Sequence, residues 1–133
     1  MTPYATPLRG DPAQTYRSVG LASRTAGSDP HQLVGMLYEE LLAALASAAW
    51  ATEEGRPAIR NERVTRALTV LFALEAGLDF DKGGDLSVTL SRLYHGARAK
   101  LLDASLSDDP APYRQVAATL SGIAEAWQSL RAA

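Results

Sequence analysis

The chain has 133 residues, of which 47% are apolar, no cysteine, and a formal net charge of −2. That length suits one domain with one core. The missing thiols exclude disulfides and thiolate zinc sites, and the charge balance leaves no basic excess for general binding to nucleic acid.

Residues 1–28 read as a flexible N-terminal arm, because Pro3, Pro7, Gly10, Pro12, Gly20 and Gly27 interrupt any long helix. Arg9, Arg17 and Arg24 against Asp11 make the arm mildly basic. Its apolar members Tyr16, Val19 and Leu21 gain by being covered, so the arm is expected to rest on the domain that follows. No charged start followed by an apolar run marks a secretory signal, and no stretch reads as long and apolar enough to span a bilayer. A cytoplasmic location without membrane insertion is therefore expected.

Residues 29–133 read as four helices. Asp29 is an N-cap, Pro30 suits the first helical position, and Gln32 stands where a capping-box partner belongs. Leu33, Leu37, Leu41, Ala44 and Ala48 then trace one stripe, ending near Glu54 with Gly55 as the stop. A second helix is expected from Pro57 to Ala76, with Ile59, Val64, Ala67, Leu68, Leu71 and Leu74 inward. Arg56, Arg60, Arg63 and Arg66 line another of its faces, expected to be solvated and balanced by Glu53, Glu54 and Glu62.

The stretch from Leu78 to Tyr94 holds a break and a restart. Gly83 and Gly84 form the turn, Asp79, Asp81 and Asp85 put negative charge at the new helix start, and Leu86, Leu90, Leu93, Tyr94 and Ala97 recur at three and four. That third helix is expected over about 85–105. The fourth follows Asp109-Pro110, with Tyr113, Val116, Leu120, Ile123, Trp127 and Leu130 in its stripe. Four such helices with short connections give an all-α, antiparallel four-helix up-down bundle, the arm packing on it. Gly35 and Gly96 lie inside helices, where close helix packing is the expected reason.

Catalytic and metal chemistry finds no constellation. A calcium loop counted from Asp79 needs a ligand at Leu90, which cannot bind a hard cation. Di-iron bundles need Glu-x-x-His pairs, but Ser28 and Arg92 precede His31 and His95 by three. Both histidines read as surface residues. No nucleophile elbow or Walker loop occurs, so neither an enzyme nor a cofactor is expected. What remains is apolar surplus, notably Met36 and Tyr38 beside the first stripe, Tyr94 beside Leu93, and Trp127 beside Ile123. It is either ordinary core or a groove for an amphipathic helix from a partner, with the arm as its cover.

In these same residues the sequence resembles the FliS family of flagellar export chaperones. The likeness runs from Tyr16-Arg17-Ser18-Val19 through Asp29-Pro30-His31-Gln32-Leu33-Val34-Gly35-Met36-Leu37-Tyr38 to Lys82-Gly83-Gly84-Asp85-Leu86, Leu90, Leu93-Tyr94 and Trp127. It departs at Thr89, where the family usually has asparagine, and at Gly96-Ala97, where a tyrosine–methionine pair is usual. The resemblance implies a cytoplasmic, non-enzymatic chaperone that holds the disordered C-terminal segment of flagellin and presents it to the flagellar export gate. The implied contact set is Tyr16, Val19, Leu21, Met36, Tyr38, Leu90, Leu93, Tyr94 and Trp127, on a monomer or weak dimer. A helical adaptor that dimerises through the same stripe is the alternative.

Overall fold

The computed structural model describes residues 29–132, which form four helices and, among these residues, no strand. They are α1 (Pro30–Glu53), α2 (Pro57–Ala76), α3 (Phe80–Ala104) and α4 (Ala111–Ala132). Each packs on its neighbours in sequence, and α4 returns to pack on α1, which closes the bundle. Tyr16, Val19 and Leu21 lie outside the described residues.

Local chemistry sets the helix ends. The Asp29 side chain accepts from the Gln32 amide at 2.8 Å, and the Gln32 side chain accepts from the Asp29 amide at 3.1 Å. This reciprocal cap satisfies two of the donors that a helix start leaves free. Gly55, at φ 66, turns the chain after α1, and Pro57 opens α2. The boundaries of α1 and α2 thus agree with the sequence expectation.

The third helix begins earlier than the periodicity suggests. Asp79 caps a single turn, its carboxylate accepting from the Lys82 amide at 3.0 Å. At Gly84 the backbone leaves the helix (φ 51, ψ −125), and it resumes at once. The two glycines have separate reasons. Gly84 occupies the left-handed region that favours glycine. A Cβ on Gly83 would lie 2.0 Å from Ser87 Oγ, which donates to the Asp79 carbonyl at 2.9 Å across the break.

The core runs along the bundle axis: Leu33, Leu37, Leu41 and Leu45 of α1 meet Val64, Ala67 and Leu71 of α2, Tyr94 and Leu101 of α3, and Tyr113, Val116 and Leu120 of α4. Fully burying one such leucine contributes roughly 1.5–3 kcal/mol, so these stripes hold the bundle together. By length and composition α1 is apolar enough to cross a membrane, contrary to the sequence expectation, but its leucines are the bundle's core.

Several expected inward positions face out. Leu86 is 62% exposed and Leu130 67%, and Ile59 is also exposed. Ile59 and Leu130 lie in terminal turns of their helices, where fewer neighbours reach, and Leu86 follows directly on the break in α3. After the break at Gly84 the helical phase turns Ser87 inward in place of Leu86.

Tyr38 and Tyr94 are core residues, their hydroxyls hydrogen-bonded to each other between α1 and α3. Burial pushes the Tyr38 hydroxyl pKa up, and the bond to Tyr94 offsets part of that rise. Tyr94→Phe leaves the Tyr38 hydroxyl buried without this partner, and we expect a loss of about 1–2 kcal/mol in urea unfolding. An unchanged midpoint would mean that the pair contributes nothing net.

Candidate functional site

The α1–α4 seam is not filled along its length. At its upper end an open groove of about 470 Å³ is lined by His31, Gly35, Met36, Glu39, Trp127 and Gln128. A smaller gap of about 100 Å³, lined in part by Gly35, Leu42 and Gln128, continues it. Beyond Leu42 it opens into about 650 Å³ over Ala46, Ala49, Trp50, Tyr113, Ala117 and Ala118. Shared walls make these one furrow along α1, and at 1.5 Å rise per residue it runs roughly 30 Å.

Small residues make the furrow. A Cβ built on Gly35 would meet nothing within 4 Å, and the same holds for Gly96 on α3. Close helix packing, the sequence expectation, is therefore not why glycine stands at either place. Each glycine costs about 1 kcal/mol of helix stability against alanine and leaves open space instead.

The upper end is pinned by His31 and Trp127. Their rings stack with centroids 4.5 Å apart and planes 12° from parallel. The Trp127 indole N–H donates to the His31 carbonyl at 3.0 Å, and His31 Nε2 lies 2.8 Å from the Trp127 carbonyl. His31 is thus half-buried and partnered, not the plain surface residue that its place in a first helical turn suggests. No sequence spacing joins residues 96 positions apart, so this contact was not legible before the fold.

At the lower end Trp50 is 46% exposed, with the Arg56 guanidinium 5.4 Å from its ring centroid. Glu53 of α1 and Arg114 of α4 close that end with a 2.6 Å ion pair. The arginine row is more structural than expected. Arg66 pairs with Glu40 of α1 at 2.9 Å, Arg63 with Glu62 at 2.5 Å, and Arg60 reaches Asp108 at 3.8 Å.

A second, smaller notch of about 250 Å³ lies between α3 and α4, over Leu93, Ala97, Val116 and Leu120. The expected contact set is therefore divided. Met36 and Trp127 stand on the α1–α4 furrow, Leu93 is in the α3–α4 notch, and Leu90 packs half-buried against the core. Tyr38 is a core residue whose small exposed edge lines the middle gap of the furrow, whereas Tyr94 is interior and lines neither cavity. Trp50, Leu42 and the alanines of the furrow were missed, since their spacing reads as plain core.

On the outer side of the α2–α3 seam, Glu75 accepts from Ser91 at 2.9 Å and also from Arg98, with His95 at 3.3 Å. Burial pushes its carboxyl pKa up, but the bonds from Arg98 and Ser91 and the charges of Arg98 and His95 outweigh this and hold it below the usual range. The network joins two helices. Among the described residues no group of three or more acidic, histidine or cysteine side chains is placed to hold a metal.

The family model described as "Flagellar protein FliS" matches residues 12–133, a span that includes Tyr16, Val19 and Leu21. The flagellar secretion chaperone FliS of Salmonella typhimurium is 35% identical over 118 residues, covering 88% of this chain and 87% of that protein. That of Vibrio cholerae is 27% identical, covering 92% and 90%. The flagellar secretion chaperone FliSB of Pseudomonas aeruginosa is 28% identical, covering 86% and 91%. With a helical bundle, a capped glycine turn and matches over nearly the whole length, the chain belongs to the FliS family of flagellar proteins.

Proposed function

We propose that the chain is a cytoplasmic flagellar export chaperone, not an enzyme, that holds the disordered C-terminal region of flagellin. Holding it would stop subunits from polymerising early and let them be handed to the flagellar export apparatus. The observation that carries this reading is the α1–α4 furrow. It is long enough for a helix of about 20 residues, apolar over its lower part at Ala46, Ala49, Trp50, Ala117 and Ala118, and open at Gly35, where no neighbour requires a small residue. A disordered client loses conformational freedom on docking, so a long apolar contact is needed to offset that loss.

Isothermal titration with the C-terminal segment of the host's flagellin tests the reading: saturable one-to-one binding is expected, and no binding overturns it. The arm enters as a regulator in this proposal, with Tyr16, Val19 and Leu21 covering apolar surface until the client displaces them. Deleting residues 1–24 should leave a folded bundle with altered client affinity. Unchanged affinity would remove the arm from the mechanism. Light scattering on the same samples addresses the adaptor alternative, because a stable dimer that blocks the client would favour self-association over chaperoning.

A further inference from the structure

We propose that the α3–α4 notch is a second docking site, one that takes a client helix bearing two acidic side chains on either side of an apolar one. This rests on reading the chain as a holder of helix-forming clients, and it names the chemistry of one segment. Three observations converge on it.

The floor is apolar and the seam is open: Leu93 and Ala97 of α3 face Val116 and Leu120 of α4, leaving about 250 Å³. Gly96 stands at the lip, where an added Cβ would touch nothing within 4 Å. The third observation is charge. Arg92 and Lys100 stand on the rim, one to each side of Gly96, and α4 opposes them with only Val116, Thr119 and Leu120.

Neither rim cation pairs with an acid among the described residues, whereas Arg60, Arg63, Arg66, Arg98 and Arg114 all do. Two exposed cations beside an apolar notch with no acid in its lining ask for an anionic partner. Eight residues of helix separate them by about 12 Å. A client helix lying along the seam meets that spacing with acids two turns apart and an apolar residue between them. The chain's own arm is the wrong occupant by charge, since it carries three arginines against one aspartate.

Two probes test the site. One is the host flagellin's C-terminal segment. The other is a designed helical peptide with Glu at i and i+7 around Leu at i+3, compared with its Lys counterpart. Wild-type protein should prefer the Glu peptide, and R92E/K100E should lose or reverse that preference. The same variant should bind the flagellin segment about tenfold more weakly, with a shallower salt dependence. R63E/K82E, with an equal change in net charge, should bind like wild type.

Gly96→Leu is the independent variant. It should melt no lower than wild type, because the space is empty and leucine favours helix, yet bind both probes more weakly. Equal affinity of wild-type protein for the Glu and Lys peptides would overturn the proposal, as would full affinity in Gly96→Leu. Loss of a dimer in R92E/K100E with client binding unchanged would also overturn it, by making the notch a self-interface. Flagellin binding with no role for the notch would defeat this site alone. Failure of wild type to bind flagellin while discriminating the peptides would defeat the choice of client and leave the site standing.

Discussion

Gly84→Val is expected to lower stability by about 3 kcal/mol, shifting the thermal midpoint by roughly 10 °C or more. The reason is local. At φ 51 and ψ −125 a β-branched side chain clashes with its own backbone, and the break is held from both sides. Upstream, the Asp79 carboxylate holds the Lys82 amide and the Asp79 carbonyl accepts from Gly83 at 2.8 Å. Downstream, Ser87 returns to that same carbonyl.

The variant must either keep the strain or give up this set of bonds, which aims the rest of α3. Gly84→Ala should cost less, about 1–2 kcal/mol, because the strain is there without the branching. Client affinity per folded molecule should stay near wild type in both, since Gly84 lines neither the furrow nor the notch. A Gly84→Val protein with full thermal stability and no client binding would make the turn a contact surface instead.

That turn also shows how far the sequence could be read. The stretch from Leu78 to Tyr94 announces a break through its two glycines, and the reason at Gly84 is the expected one. The demand at Gly83 is different in kind, because it comes from Ser87 folding back, and no pattern of glycines reveals that. The start of α1 was legible because capping is local: Asp29, Pro30 and Gln32 act within four residues of each other. Inward stripes were legible at mid-helix, where Leu37, Leu41 and Leu120 are fully buried, and failed just after the break, at Leu86, and in the last turn, at Leu130.

The candidate site was less legible than the fold. Apolar surplus pointed to Met36 and Trp127, which do stand on the furrow, to Tyr38, which is core but edges its middle gap, and equally to Tyr94, which is interior. Periodicity reports which face of a helix is apolar, but not whether a neighbour covers that face. Gly35 and Gly96 carried the missing information, since both mark places where helices stand apart, and in the sequence a packing glycine looks the same.

Trp127→Ala is expected to cost about 2 kcal/mol and to weaken client binding by removing a wall of the furrow. The loss has two parts that can be separated. Trp127→Phe keeps an aromatic face for His31 but removes the indole donor to the His31 carbonyl, so about 1 kcal/mol should go with that bond. His31→Ala removes the stack and the bond to the Trp127 carbonyl from the other side.

If the two residues act as one clasp, the double variant should cost less than the sum of the singles, with a coupling of about 1 kcal/mol. The clasp ties the first turn of α1 to the last turns of α4 at the mouth that Gly35 and Met36 line. Fraying there should therefore reach binding as well as stability. Additive stability losses would dissolve the clasp into two independent contacts. Full client affinity in Trp127→Ala would move the docking surface away from this end, toward Trp50 and the alanines of the lower furrow.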